Sequence, residues 1–154
     1  MKLISISRMA TLALLVVASA AFAQQRGTAA EAKAMLDEAV ADVKAVGPDK
    51  AFADFDDGAK WHNKDLYVFA FKFDGVTVAH GGNKALVGKN LIGVKDPDGK
   101  YFIKQMIEVV KAQGSGSVAY SFTDPATKRI AKKLSYVARV PGYDGVMGVG
   151  VYQH

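Results

Sequence analysis

The chain has 154 residues and no cysteine, which excludes disulfides, thiolate metal sites, cysteine nucleophiles and covalent attachment of a c-type haem. Half of the residues are hydrophobic and 23% are charged, so the chain is neither disordered nor fibrous. The formal net charge of +5 includes Lys2 and Arg8, and what remains without them is too mild and dispersed for a nucleic-acid binder.

Residues 1–23 carry a basic start (Lys2, Arg8), an apolar run from Met9 to Ala21 and the small-x-small site Ala21-Phe22-Ala23. That order is a secretory signal peptide, with Gln24 as the mature N-terminus. The apolar run is short for a membrane anchor, and no second run is long enough to span after cleavage. The expected product is one domain over residues 24–154, periplasmic or secreted.

Thr28-Ala29-Ala30-Glu31 is a capping box, and a helix is predicted from there to about Ala45 with Met35, Leu36, Ala39, Val40 and Val43 as its stripe. Gly47-Pro48 ends it, and a short second helix runs from Pro48 to Asp56. A loop from Gly58 to Lys64 holds Trp61 and His62. Asp65 to Phe73 is a strand apolar on both faces, hence central: Tyr67, Phe69, Phe71 and Phe73 on one, Leu66, Val68 and Ala70 on the other. Asp74-Gly75 predicts a type I′ hairpin returning through Val76 to His80, with Val76, Val78 and His80 on one face. After a long Gly81–Asp98 connection, a helix is predicted from Lys100 to Gln113, closed by Gly114. Three strands follow: 117–123, 130–140 and 146–153. The whole is α+β, with a five-stranded antiparallel sheet, a long N-terminal helix and covering helices.

Several polar side chains stand where chemistry is possible. His80 ends a strand ahead of two glycines, and either faces a ligand or fixes the following loop. His62 and His154 do not pair with it at metal-ligand spacing, so no metal is expected. Lys133 lies in an apolar strand, where alternation turns it and Lys132 to opposite faces; a buried ammonium there suits a carboxylate. Tyr136, three residues on, can line a pocket with Lys133 only across a bulge or at a sheet edge. Tyr120, Tyr67, Tyr101 and Trp61 are ligand-contact candidates that packing would equally explain. Asp96 and Asp98 suit a turn rather than a calcium loop. No nucleophile elbow or catalytic spacing is present, so an enzyme is not expected, and no cofactor is implied.

The run from the aromatic strand through Asp74-Gly75, Ala79-His80-Gly81, Gly88-Lys89-Asn90, Asp96 with Asp98-Gly99-Lys100, Tyr120, Asp124-Pro125, Lys133 with Tyr136, and Gly148-x-Gly150 with Tyr152 resembles the single Cache domain family, second subtype. The resemblance covers roughly Phe52 to Tyr152 and implies a PAS-like extracytoplasmic sensor. One departure is Gly116-Ser117-Val118, where the usual member has a tryptophan. The resemblance, with a lysine ringed by tyrosines, implies a small-molecule ligand, a carboxylate by preference. Trp61, Tyr67, His80, Tyr101, Tyr120, Lys133 and Tyr136 are the candidate ligand-binding residues, with the Gly81–Asp98 connection as pocket wall. Such domains commonly feed a membrane kinase or chemoreceptor. This sequence ends at His154 after the last strand, so the expectation is a binding or sensing domain that acts without its own transmitter and passes its message to a membrane sensor. The alternative is a ligand-free accessory protein docking on a membrane sensor or enzyme.

Overall fold

Helix α1, Ala29–Val46, starts where its capping box puts it: Glu31 N–H donates to Thr28 Oγ1 and Thr28 N–H donates to the Glu31 carboxylate. The computed structural model describes residues 25–153, so the expected leader and His154 lie outside the described residues. The stripe Ala32, Leu36, Ala39 and Val43 is buried against the sheet. Helix α2, Pro48–Asp57, has proline in its first turn and turns Phe52 and Phe55 into the same core.

The strands are β1 (His62–Asn63), β2 (Leu66–Lys72), β3 (Thr77–His80), β4 (Ser115–Thr123), β5 (Ile130–Arg139) and β6 (Gly145–Gln153). All pairings are antiparallel, in the order β1-β2-β6-β5-β4, with β3 on the same edge of β2 as β1. The five expected strands are present. The sixth, β1, is a two-residue pairing within the segment read as a loop, too short to leave a periodic signal.

The sheet parts two cores. Leu66, Val68 and Ala70 of β2 join α1 and α2 on one side. Tyr67, Phe69 and Phe71 face helix α3 (Phe102–Gln113) on the other, meeting Phe102, Ile103, Met106, Ile107 and Val110. Gly114, left-handed at φ 78°, closes α3.

Two details of the β2–β3 hairpin differ from the sequence reading. Gly75 has φ 92°, but Asp74 does not have positive φ, and Gly75 N–H donates to the Lys72 carbonyl. This is a three-residue loop, a type I turn followed by a left-handed glycine, rather than type I′. The ladder also slips between Ala70↔Ala79 and Phe71↔Thr77, a bulge that skips Val78. Val78 therefore packs with the α1–α2 core, while Thr77 and His80 face the α3 side together. The expected common face of Val78 and His80 is lost to that extra residue.

Candidate functional site

Strand β5 runs without a bulge, so its alternation holds: Lys133 points to the α3 side and Lys132 is exposed, ion-paired with Asp98. Lys133 is 1% exposed, and among the described residues no carboxylate forms an ion pair with it. Its cross-strand neighbours are Tyr120 on β4 and Tyr152 on β6. The stem leans over Gly150, where any Cβ would collide with Lys133 Cε and Ser135 Oγ.

The ammonium sits among four rings, with Nζ 4.2 Å from the centroid of Tyr67, 4.9 Å from Tyr152 and 5.5 Å from both Phe69 and Phe122. It donates to the Tyr67 hydroxyl at 2.7 Å. Tyr152 donates its own proton to the Thr123 carbonyl at 2.7 Å, so in the 3.2 Å contact between the two tyrosines Tyr67 is the donor. A one-way chain thus runs from Lys133 through two phenols to the end of β4. Burial raises the pKa of both phenols. Burial also depresses Lys133 to about 7, against the pull of Asp65 and Asp124.

His80 is brought to the same place, its ring 5.0 Å from Tyr67 and 6.0 Å from Phe122. Its Nδ1 accepts the Asn83 N–H at 2.9 Å, and its own backbone N–H donates to Asp56 at 2.7 Å. The loop-fixing role is therefore present, exercised through an amide. The tautomer this implies carries its proton on Nε2, and the residue lines both the inner cavity and the outer cleft. Burial first, then the charge of Lys133, lower its pKa to about 3, so the ring is neutral.

Phe69, His80, Phe102, Tyr120 and Phe122 border an inner cavity of about 20 Å³, room for about one water. Thr77 Oγ1 borders it without a hydrogen-bond partner. Tyr120 stacks on Phe102 at 4.6 Å and spends its hydroxyl on Ser135 at 3.0 Å. Outside the cavity an open cleft of about 470 Å³ lies between Gly82–Leu86 and Thr123–Lys128. His80 and Phe122 stand between the two spaces.

Of the residues singled out in the sequence, Tyr67, His80, Tyr120 and Lys133 come together. Three do not join them. Trp61 packs edge-on against Phe55 in the α1–α2 core. Tyr136 lies on that same face beneath Lys33, because the unbroken alternation of β5 turns it away from Lys133. Tyr101 is 39% exposed before α3, its ring covered by Lys95 and Lys104. The site gains Tyr152, Thr77 and the pair Phe69 and Phe122. Gly148-x-Gly150-x-Tyr152 carries a signal for Tyr152: two glycines clear one strand face up to a tyrosine.

A second cluster adjoins the phenol chain. Arg26 Nη1 lies 2.7 Å from Asp124 Oδ2 and 3.1 Å from Asp65 Oδ2, and both carboxylates are buried. Asp65 also accepts the Gly27 N–H at 2.6 Å, and Asp124 that of Ala126 at 2.8 Å.

The antiparallel PAS-like sheet thus carries a helix over an aromatic cavity, and Lys133, the one buried lysine or arginine among the described residues, lies against two of that cavity's rings, Phe69 and Phe122. The chain belongs to the Single Cache domain 2 family, whose sequence profile matches residues 4–154. Over 91 residues, 59% of this chain, it is 36% identical to the sensor histidine kinase MctS of Rhizobium johnstonii. Over 91 residues it is 28% identical to the methyl-accepting chemotaxis protein McpP of Pseudomonas putida. These matches span 20% and 17% of the relatives' own lengths. Among solved structures, a methyl-accepting chemotaxis protein of Vibrio parahaemolyticus superposes with TM-score 0.69 at 26% identity, over 80% of this chain and 86% of that one. A Cache chemosensory domain described for carboxylic acid recognition shares the fold at TM-score 0.63 and 24% identity, over 79% and 86% of the two chains. The family is a sensory, extracytoplasmic ligand-binding one, and none of the helices described is long and apolar enough to cross a membrane.

Proposed function

We propose that this domain binds a short-chain monocarboxylate through Lys133, in the periplasm after removal of the leader, and reports its occupancy to a membrane sensor. The observation that carries the reading is Lys133 itself: a buried ammonium with hydrogen-bonding and ring contacts but no carboxylate partner among the described residues. Such a group is costly unless something anionic completes it. One cation favours one carboxylate. The apolar walls, Phe69, Phe102 and Phe122, suit a short hydrocarbon tail, and the His80 Nε2–H supplies a second donor. The inner cavity is smaller than such a ligand, so on this reading occupancy requires Phe122, which borders both spaces, to move and open the cavity to the outer cleft. The related Cache domain described for carboxylic acid recognition supports the same class of ligand.

Thermal-shift and calorimetric titrations with acetate, propionate and succinate test this on wild type, Lys133→Met and Lys132→Met. At a hundredfold excess over Kd, a monocarboxylate is expected to stabilise wild type and Lys132→Met by about 2.7 kcal/mol and Lys133→Met not at all. Equal responses from the two variants, or none from wild type, would sink the proposal; the second result points instead to a ligand-free docking role.

A further inference from the structure

Arg26 lies in the segment that leads into α1, and its side chain is 26% exposed. It faces two carboxylates whose side chains are 1% and 0% exposed, Asp65 and Asp124. Two carboxylates against one guanidinium leave one negative charge in excess. Lys133 is the opposite case, one buried positive charge without an ion-pair partner among the described residues. Between the two stand the phenols of Tyr67 and Tyr152, and the carbonyl that ends their chain belongs to Thr123, the residue before Asp124. The unbalanced charges answer each other across those phenols, and the set is neutral as it stands.

On the reading of Lys133 as the anion-binding group, we infer that Arg26 is a positioning residue of the ligand site, setting its anion affinity through Asp65 and Asp124 without touching the ligand. A carboxylate arriving at Lys133 adds a negative charge near two others. With Arg26 in place, one of those two is neutralised; without it, both repel the ligand through a poorly screened interior. Linkage makes the coupling mutual: a bound anion tightens the hold on Arg26, and with it on Gly27, whose N–H is bonded to Asp65. The segment before α1 is thereby held more firmly in the occupied state.

The test measures propionate binding by calorimetry at about pH 6, where Lys133 is charged, using the mature protein with Arg26→Gln, Arg26→Lys, Asp124→Asn and the double variant Arg26→Gln/Asp124→Asn. Arg26→Gln is expected to weaken binding about tenfold, within the usual range of coupling between sites. Arg26→Lys restores most of it. Asp124→Asn, which keeps an oxygen for the Ala126 N–H, tightens binding, and it carries the test if Arg26→Gln does not fold. The double variant has a single excess negative charge again and returns towards wild type. A double variant as weak as Arg26→Gln would show Arg26 to be a structural clamp and overturn the inference, as would wild-type affinity in Arg26→Gln or in Asp124→Asn.

A ligand-free readout separates this from the binding reading. The Lys133 Cε signal, titrated by NMR in the apo protein, is expected to move to higher pH in Arg26→Gln and to return in the double variant; an unmoved titration overturns the inference. The titratable groups around the Lys133 ammonium are Tyr67, Tyr152, Tyr120 and His80, and a neighbouring surface recess that its residue also lines holds Asp98, Lys100 and Lys132. Burial drives the phenols up and the imidazole down, which leaves the lysine step free of theirs. If propionate binds wild type and Lys133→Met alike, the binding reading fails, and this titration still decides whether Arg26 acts on Lys133.

Discussion

Replacing Lys133 by methionine is expected to stabilise the ligand-free domain in mild acid and to lose that advantage as the pH rises. The amine titrates at 10.5 in an unfolded chain and at about 7 in the fold. Between those values the unfolded chain holds more protons than the folded one, so wild-type stability climbs with pH across that window. Below about pH 7 both states are protonated and the full cost of burying the charge is present. At about 1.4 kcal/mol per pH unit that cost is about 5 kcal/mol. Methionine fills much of the space of the stem and leaves the Tyr67–Tyr152 hydrogen bond in place. It forfeits the ring contacts of the ammonium, which reduce the gain by about 2 kcal/mol. The net advantage is then about 3 kcal/mol at pH 6, and it disappears by about pH 9. Urea unfolding of both proteins at intervals across that range measures it. Stability curves that run parallel, or a wild type that is the more stable protein at pH 6, would refute the argument that a solitary buried ammonium is present.

Because the ligand needs the charged lysine, propionate affinity is expected to fall about tenfold per pH unit above pH 7, with uptake of about one proton per anion bound there; calorimetry in buffers of different ionisation enthalpy reads both, and a flat profile contradicts the assignment. Gly150→Ala puts a methyl group where the Lys133 stem lies and against the buried Ser135 Oγ, so anion binding and the melting temperature should both drop; unchanged binding would contradict a stem that lies over Gly150. Gly75→Val faces both the left-handed φ of 92° and Ile92 Cβ at 2.5 Å, and should cost more than about 1 kcal/mol in urea unfolding; a variant of unchanged stability would deny the hairpin its turn. The exported protein is expected to begin at Gln24 by intact mass, and a retained full-length chain would contradict the leader.

What was legible in the sequence is what rests on short-range periodicity. The capping box placed the start of α1, and both faces of β2 were assigned from residue parity alone. The same parity put Lys132 and Lys133 on opposite faces, and the structure buries Lys133 and exposes Lys132. Parity also argued that Tyr136 turns away from Lys133 unless a bulge or a sheet edge intervened, and β5 is regular and paired on both sides. A bulge did form in β3, where one extra residue brought Thr77 round to the side of His80. Nothing in the composition of Val76 to His80 marks that slip. Trp61 and Tyr101 show why aromatic identity alone is weak guidance: one ring went to the helix-side core and the other to the surface. The Arg26 cluster was out of reach for a different reason. Its partners are 39 and 98 residues away along the chain, and only the completed sheet brings them to one corner.

The division of the protein into two cores on opposite sides of one sheet has an evolutionary consequence. Along each regular strand, successive residues answer to different demands: one set holds α1 and α2 in place, the other shapes the chamber under α3. A mutation at Phe69, Tyr120 or Phe122 changes the chamber without disturbing the packing of Leu36, Val43 or Phe55. Mutations far apart and without shared partners tend to act independently. Ligand preference can therefore drift while the other face continues to supply the stability that folding requires. A scaffold partitioned in this way can reshape one face of its sheet at little cost to the other.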